Sequence, residues 1–116
     1  MLISWLSLAV PSAAPKITSA YNTSSTSISV HWTPIPENVT NGILLGYKVI
    51  FRIRDLPETE QLLTIRNQST SVELQGLKAF REYVIFVEGF TVKGSGINDS
   101  VACTTDEDGN LCVYYN

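Results

Sequence analysis

The amino-acid sequence predicts an all-β protein built as a sandwich of two antiparallel sheets. Seven short segments either alternate apolar and polar residues or are rich in β-branched residues, and turn-forming residues separate them at intervals of about 8 to 12 residues. No stretch sustains the 3.6-residue apolar spacing of an amphipathic helix. The expected strands are 17–21, 27–33, 46–54, 61–66, 70–74, 83–91 and 98–105.

The second and third expected strands show the clearest alternation. In 27–33, isoleucine, valine and tryptophan share one face, while serine, histidine and threonine take the other. The segment 46–54 follows a stretch in which prolines and an Asn-Gly pair interrupt the chain. Its tyrosine, valine, phenylalanine and isoleucine are expected to face the core. Ile50 is then the one apolar residue among the lysine and arginines of the outward face.

The sixth expected strand lies in the sequence REYVIFVEGF, at 81–90, and is apolar on both faces. Tyr83, Ile85 and Val87 are expected to face the core, so Val84, Phe86 and Phe90 form a second, outward row. This row should lie beside the outward side chains of the third strand. The candidate interface residues on the two strands are Ile50, Arg52, Val84, Phe86 and Phe90.

Two interpretations of this outward row stay open. The arginine stems of the neighbouring strand can lie over the aromatic rings, with cation–π contacts and with Glu82 or Glu88 nearby as counter-charges. Alternatively, the row is an exposed aromatic and basic patch that docks a neighbouring domain or another chain. Substituting Phe86 separates the two, because loss of packing lowers stability and loss of an interface lowers binding.

Length and charge limit the function. A chain of 116 residues with 44% apolar residues fits one globular domain. The net charge of −3 and the lack of a lysine–arginine cluster give no electrostatic basis for binding nucleic acid. We therefore expect no nucleic acid as a partner, and no motif in the sequence indicates a small-molecule substrate.

The N-terminal segment is the longest apolar stretch of the sequence. Residues 2–10 are too few to span a bilayer. One interpretation is the apolar region of a secretory signal, with Ser12-Ala13-Ala14 as the cleavage site. The other is an incomplete or wrongly assigned N-terminus, or a strand-like flank, since no lysine or arginine precedes the segment. The prolines within 11–16 predict an extended linker.

These features divide the chain into three parts. We expect an N-terminal flank at 1–14, one folded domain at 15–106 and a C-terminal tail at 107–116. Attachment to a membrane would depend on an anchor that this sequence does not contain.

The sequence offers no candidate for catalysis or for metal binding. The one histidine, His31, is expected on the polar face of its strand, without an acid–base partner or a nucleophile motif. The acidic run 106–108 departs from the EF-hand spacing and is expected to be a hinge between domains. We therefore expect no enzyme activity, no cofactor and no metal.

The two cysteines, Cys103 and Cys112, are nine positions apart. A disulfide can close this hairpin in an oxidising compartment. Alternation from Val101, however, turns Cys103 inward and away from the tail. The pattern therefore favours no bond and leaves Cys112 free to pair between chains.

Four motifs, in order along the chain, resemble the fibronectin type III family. The second expected strand carries Trp32, and the third opens with Gly-Tyr-x-Val, which includes Tyr47. The motif Leu-x-Pro-x-Thr-x-Tyr before the sixth strand is represented by Leu77 and Tyr83, with the proline and the threonine replaced. A Gly-x-Gly hairpin pattern precedes the last strand. The resemblance covers most of 11–106.

The resemblance implies an immunoglobulin-like sandwich of seven strands with fibronectin type III topology. It also implies that the Tyr83 hydroxyl ties down the preceding loop, as in a tyrosine corner. The structural core residues that it implies are Trp32, Tyr47, Leu77 and Tyr83.

Such modules occur in strings in extracellular adhesion, receptor and matrix proteins. The resemblance therefore implies a non-enzymatic extracellular interaction or spacer module, secreted or part of a cell-surface ectodomain, whose partner is another protein or a neighbouring domain of the same string. The alternatives are a truncated ectodomain fragment of a receptor tyrosine phosphatase or kinase, and a secreted decoy form. Both ends of the chain depart from the family pattern, which predicts a shortened product or an incomplete gene model.

Four Asn-x-Ser/Thr sequons indicate N-glycosylation of a secreted chain, although accidental spacing in a sequence rich in serine and threonine is the alternative. All four are expected in loops or at strand ends, where a glycan is tolerated. With the family topology, the last three lie at one pole of the sandwich, so a partner is expected to contact a sheet face instead of the shielded loops. The four asparagines are Asn22, Asn38, Asn67 and Asn98.

Overall fold

Two antiparallel β-sheets pack face to face in this protein. The computed structural model describes residues 9–106 and 112–114. The strands are β1 (Lys16–Ser24), β2 (Ser27–Thr33), β3 (Gly46–Ile53), β4 (Gln61–Ile65), β5 (Ser71–Leu74), β6 (Glu82–Thr91), β7 (Gly94–Thr104) and β8 (Val113–Tyr114), and two 3₁₀ turns lie at Glu37–Val39 and Pro57–Thr59.

Strand pairing confirms the predicted antiparallel sandwich of seven strands. The smaller sheet has the order β1-β2-β5, and the larger sheet has the order β4-β3-β6-β7-β8. All neighbouring strands run antiparallel. The two-residue strand β8 is an addition that the sequence pattern does not predict. None of the helical segments in 9–106 and 112–114 has the length and hydropathy of a membrane span.

The two sheets meet through alternate residues of their central strands. Trp32 of β2 and Tyr47 of β3 are buried, and their rings make an edge-to-face contact with centroids 5.4 Å apart. Burial raises the pKa of Tyr47, and the nearby Ile35 backbone partly opposes this shift. The core also contains Ile17, Ile28, Val30, Val49, Phe51, Ile53, Leu74, Leu77, Tyr83, Ile85, Val87, Val101 and Cys103.

The Tyr83 side chain anchors the loop between β5 and β6. Its ring is buried, and its hydroxyl oxygen accepts a hydrogen bond from the backbone N–H of Lys78 at 2.9 Å. Leu77 is buried at the start of this loop, and its backbone N–H donates to the Thr26 carbonyl at 2.9 Å. The loop is therefore tied to both sheets.

Thr105 secures the other side of the same loop. This buried residue donates its backbone N–H to the Arg81 carbonyl at 2.9 Å, and its Oγ1 lies 2.6 Å from the Lys78 carbonyl oxygen. These contacts hold Phe80 in the left-handed region, with φ of 59°, where a bulky residue is strained. The loop lacks the proline and the threonine of the motif, and Thr105 from the end of the domain fixes the turn.

The segment before β1 packs against the sandwich. Pro11 is buried, and the backbone N–H of Ser12 donates to the Val39 carbonyl at 2.9 Å. These contacts make 9–15 part of the folded unit and not a free linker. Residues 1–8, which carry most of the candidate signal segment, lie outside the described residues.

The prediction that the two cysteines stay unpaired is wrong. Cys103 and Cys112 form a disulfide, with Cα atoms 4.5 Å apart. Cys103 does face inward and is buried, but the tail returns along β7 as β8, and the Cys112 N–H donates to the Ala20 carbonyl of β1 at 2.9 Å. The tail therefore reaches the seam between the sheets, which the alternation of β7 alone cannot reveal.

We expect Tyr83→Phe to lower the free energy of unfolding by about 1–2 kcal/mol, because the Lys78 N–H loses its acceptor in a part-buried loop. Urea denaturation of the full chain measures this loss. Tyr21→Phe is the matched control, since Tyr21 is only half-buried on β1, and it should leave stability unchanged. Equal losses in the two variants would contradict the anchoring role of Tyr83.

We expect Cys112→Ser to lower the free energy of unfolding by about 2–3 kcal/mol, because the unfolded chain is no longer closed between positions nine residues apart. The measurement is chemical denaturation under oxidising conditions. Cys103→Ala should cost more, since its side chain is buried. The double variant should match Cys103→Ala, because the bond is lost only once. A Cys112→Ser variant as stable as the unmodified chain would contradict the prediction.

Candidate protein interface

An apolar row crosses the outer face of the larger sheet. Ile50 of β3 pairs with Leu62 of β4 on one side and with Phe86 of β6 on the other. Because directly opposite residues of antiparallel strands share a face, the three side chains lie side by side. We call Leu62, Ile50 and Phe86 the apolar row.

The apolar row is partly open to solvent. Leu62 is 58% exposed, and Ile50 and Phe86 are half-buried. The guanidinium carbon of Arg52 lies 5.3 Å from the centroid of the Phe86 ring, so the cation covers part of that ring. Ile50, Arg52 and Phe86 of the expected interface are therefore accessible at this face.

Two of the expected interface residues are not accessible. Val84 is 0% exposed, although it lies on the outer face beside Arg52. Phe90 is 5% exposed, because Lys48 Nζ lies 5.1 Å and the guanidinium carbon of Arg66 lies 5.9 Å from its ring centroid. For Val84 and Phe90 this burial supports the packing interpretation and not the alternative of an exposed patch.

Two ion pairs border the apolar row. Arg52 Nη1 lies 3.8 Å from Glu60 Oε1, and Arg54 Nη1 lies 2.9 Å from Glu82 Oε2. Glu82 therefore neutralises Arg54 and does not sit among the rings. Both pairs are open to solvent, so each contributes about 1 kcal/mol or less to stability. The two arginines lie along the rim of the row.

His31 lies away from the apolar row, on the smaller sheet. It is half-buried, stacks on Tyr21 with ring centroids 6.0 Å apart, and places Nε2 3.1 Å from the Ser29 hydroxyl. Within the part of the chain that the structure describes, no group of three His, Cys, Asp or Glu residues is arranged to hold a metal ion. Residues 107–108 of the expected acidic hinge lie outside that part.

Comparison with known protein families identifies the family to which this β-sandwich belongs. The family model of the fibronectin type III domain matches residues 13–106. The chain belongs to the fibronectin type III family.

Relatives of this fibronectin type III domain include adhesion molecules. It is 45% identical over 89 residues to protein sidekick-1 of Homo sapiens, a match that covers 76% of this chain and 4% of the relative. It is 35% identical over 101 residues to the cell adhesion molecule DSCAM of Homo sapiens, covering 85% of this chain and 5% of the relative. A receptor-type tyrosine-protein phosphatase of Aedes aegypti, mosPTP-1, is 31% identical over 100 residues, covering 84% of this chain and 8% of the relative.

Solved structures share the same fold. The solution structure of the third fibronectin III domain of human KIAA0343 protein superposes with a TM-score of 0.75, at 25% identity, and the match covers 89% of both chains. The crystal structure of the FN1–FN3 domains of chicken CNTN1 superposes with a TM-score of 0.72, at 26% identity, and the match covers 84% of this chain and 33% of that one.

Asn22 of this fibronectin type III domain does not tolerate a glycan. It lies within β1 and is 2% exposed. Its Nδ2 atom, to which a glycan would attach, is buried and has no hydrogen-bond partner among the described residues. The expectation that all four sequons lie where a glycan fits is therefore wrong for Asn22, because attachment there would force β1 away from the core.

Asn38 and Asn67 are exposed on neighbouring connections. Asn38 lies in the 3₁₀ turn between β2 and β3, and Asn67 follows β4. The side-chain amide of Gln68 donates to the Leu44 carbonyl at 2.9 Å and so links the two connections. These two sequons therefore lie at one pole of the domain.

Asn98 lies on a strand and not on a loop. It is exposed within β7, directly opposite Glu88 of β6. In the same ladder Ser100 lies opposite Phe86, so Asn98 shares the outer face with the apolar row. A glycan on Asn98 would cover the β7 side of that face, and the β3–β4 side would stay open.

Leu62 is the member of the apolar row that sequence reasoning missed. It stands beside Leu63 in a segment without alternation, so the sequence does not show which leucine faces outward. The pairing of Leu62 with Ile50 and of Leu63 with Val49 assigns them to opposite faces. The sequence signal that points to Leu62 is the outward position of Ile50 beside the expected neighbouring strand.

We expect the secreted, folded chain to carry glycans at Asn38, Asn67 and Asn98 and none at Asn22. Each of the first three Asn→Gln variants should lose the mass of one glycan, because those side chains are exposed. Asn22→Gln should leave the glycan mass unchanged. The measurement is the intact mass of chain secreted from eukaryotic cells behind a heterologous signal sequence, before and after enzymatic deglycosylation. A glycan on Asn22 in secreted, folded protein would contradict the burial of that residue.

Proposed function

We propose that this fibronectin type III domain is a non-enzymatic protein-interaction module of an extracellular adhesion protein. The domain acts by presenting a surface and by spacing its neighbours, and not by chemistry. The similarity to sidekick-1 and to a protein named as a cell adhesion molecule supports this role.

The apolar row is the observation that carries the proposal. Leu62, which is 58% exposed on the edge strand β4, lies beside the half-buried Ile50, and Phe86 follows on the other side of Ile50. Arg52 and Lys48 flank the row on β3. Aromatic and arginine side chains at the centre of a contact are the usual source of binding energy, so the expected partner is a protein with an apolar projection surrounded by acidic groups.

Two further observations support an extracellular location. The disulfide between Cys103 and Cys112 is a bond that persists in oxidising compartments. Asn38, Asn67 and Asn98 are exposed acceptors for glycosylation, which takes place in the secretory pathway. A glycan at Asn98 leaves the β3–β4 side of the outer face free, because β3 lies two strands away from β7.

A second candidate is that the domain belongs to the ectodomain of a receptor tyrosine phosphatase. The similarity to mosPTP-1 over 100 residues favours it. The domain itself would serve the same binding or spacing role in that case. Full-length transcripts decide between the two, because only a receptor phosphatase encodes a phosphatase catalytic domain after this one.

We expect fluorescent tetramers of the full chain to bind cultured cells, and Leu62→Ser to weaken this binding about tenfold. Because Leu62 is exposed, its substitution should leave the melting temperature within about 2 °C of the unmodified chain. Ile97→Ser is the matched control, since Ile97 is also 58% exposed but is not part of the row, and it should bind like the unmodified chain.

Two further arms of this experiment test the proposal. Treating the cells with trypsin before adding the tetramers should abolish binding, because the partner is a protein. Phe86→Ser should weaken binding as well as lowering stability, since the Phe86 ring is half-buried. Binding that survives trypsin, or that Leu62→Ser and Ile97→Ser weaken equally, would refute the proposed role of the row.

A further inference from the structure

β4 is the open edge of the larger sheet. Among the described residues it pairs with β3 and with no second strand. The opposite edge is covered in part, because β8 pairs with Val101 and Ala102 of β7 and the disulfide holds the tail in place. An open edge presents unpaired backbone groups to which another strand can add.

The backbone of β4 directs hydrogen-bonding groups to that edge. A Cβ atom on Gly46 of β3 would overlap the carbonyl oxygen of Ile65, so the Ile65 carbonyl points toward β3. Backbone groups alternate in direction along a strand, so Leu62 and Thr64 point their N–H and C=O groups away from β3. These groups are placed to accept and donate in a new ladder.

The side chains of β4 do not protect the edge. Natural edge strands are commonly blocked by a charged residue or a proline, and Gln61–Ile65 contains neither. Its Leu62 and Leu63 are both exposed. Charged residues are found only just outside the strand, with Glu60 before it and Arg66 after it.

We propose that β4 pairs antiparallel with β4 of a second copy of this chain, about a two-fold axis that passes through Leu63. In this register Leu63 lies opposite Leu63 of the second copy, and Leu62 lies opposite Thr64. The two exposed leucines at the axis then cover each other. Two five-stranded sheets join into one continuous sheet across the dimer.

Charge complementarity selects a second copy as the occupant of this edge. The same two-fold register places Glu60 opposite Arg66 of the second copy, and Arg66 opposite its Glu60. Both residues are exposed. They share the outer face of the sheet, because Arg66 lies over the ring of Phe90 and Glu60 lies beside Arg52. The strand is therefore self-complementary in charge, and each end of the contact closes with one ion pair.

This contact does not rest on the proposed function, although Leu62 belongs to both the apolar row and the ladder and Glu60 borders both. It uses the backbone of the sheet edge, whereas the proposed adhesion partner meets side chains of the outer face. Seven residues from each copy, 60–66, form the ladder, so the dimer is expected to be weak and to depend on concentration. Failure of the dimer would leave the role of the apolar row untouched.

A charge-swap series tests the proposal by sedimentation velocity on the full chain over a range of concentrations. The unmodified chain should form a dimer. Glu60→Arg alone and Arg66→Glu alone should each raise the dissociation constant about tenfold or more, because each variant puts like charges opposite one another at both ends of the contact. Both residues are exposed, so both variants should stay folded.

Variants that restore opposite charges at positions 60 and 66 test whether the dimer uses the proposed register. The double variant with Glu60→Arg and Arg66→Glu should dimerise like the unmodified chain. A one-to-one mixture of the two single variants should form heterodimers, since one variant then carries arginine and the other carries glutamate at both positions, and opposite charges face each other at both ends. A backbone control is Thr64→Pro, which removes an outward N–H without removing a bond to β3, and it should weaken the dimer in every charge background.

Other outcomes overturn the proposal. An unmodified chain that stays monomeric at all concentrations rules out the dimer. A dimer that ignores the charge variants, or a mixture that fails to restore pairing, rules out this register. A dimer that Phe86→Ser disrupts and the charge variants do not disrupt places the contact on the outer face and not on the edge.

Discussion

The contact between Trp32 and Tyr47 joins the two sheets, and the arrangement of both faces depends on it. Because side chains alternate along a strand, an inward ring at Tyr47 sets every second residue of β3 outward, including Ile50. Cross-strand pairing then fixes Leu62 and Phe86 on the same outer face. A slip of one residue in β3 would bury its cations and expose its core side chains. The packing that stabilises the domain therefore also decides which side chains a partner meets.

The two edges of the larger sheet differ in whether another segment of the chain covers them. The difference arises from the path that the chain takes after each edge strand. After β7 the tail pairs as β8 with Val101 and Ala102 and is held by the disulfide between Cys103 and Cys112, so that part of this edge is covered within the molecule. At β4 the chain leaves directly for β5 in the other sheet, and no later segment among the described residues returns to cover it. The disulfide-held strand β8 covers part of one edge, whereas no strand among the described residues covers the uncharged strand β4 at the other edge.

The sequence predicts most of the fold because β2, β3 and β6 carry strong local patterns. Alternation assigned the inward faces of β2 and β3, and the motif containing Tyr83 indicated the loop anchor. What could not be predicted depends on segments that are distant in sequence. Leu62 needs its register with Ile50, Phe90 is covered by Arg66 from the connection after β4, and Cys112 reaches Cys103 only because the tail reverses. Asn22 belongs to a glycosylation sequon, which predicts an exposed residue, but it is buried. A sequon does not show whether its asparagine faces the core or the solvent.

Glu60 connects the two surfaces of the larger sheet. In one copy its carboxylate lies 3.8 Å from Arg52, whose guanidinium covers the Phe86 ring. In the proposed pairing the same carboxylate stands opposite Arg66 of the second copy, so it cannot serve both arginines equally. Dimerisation therefore draws the counter-charge away from Arg52 and leaves that side chain freer to engage an acidic partner at the apolar row. Because exposed ion pairs are weak, the coupling between the two surfaces is expected to be small and to fade as salt screens the charges.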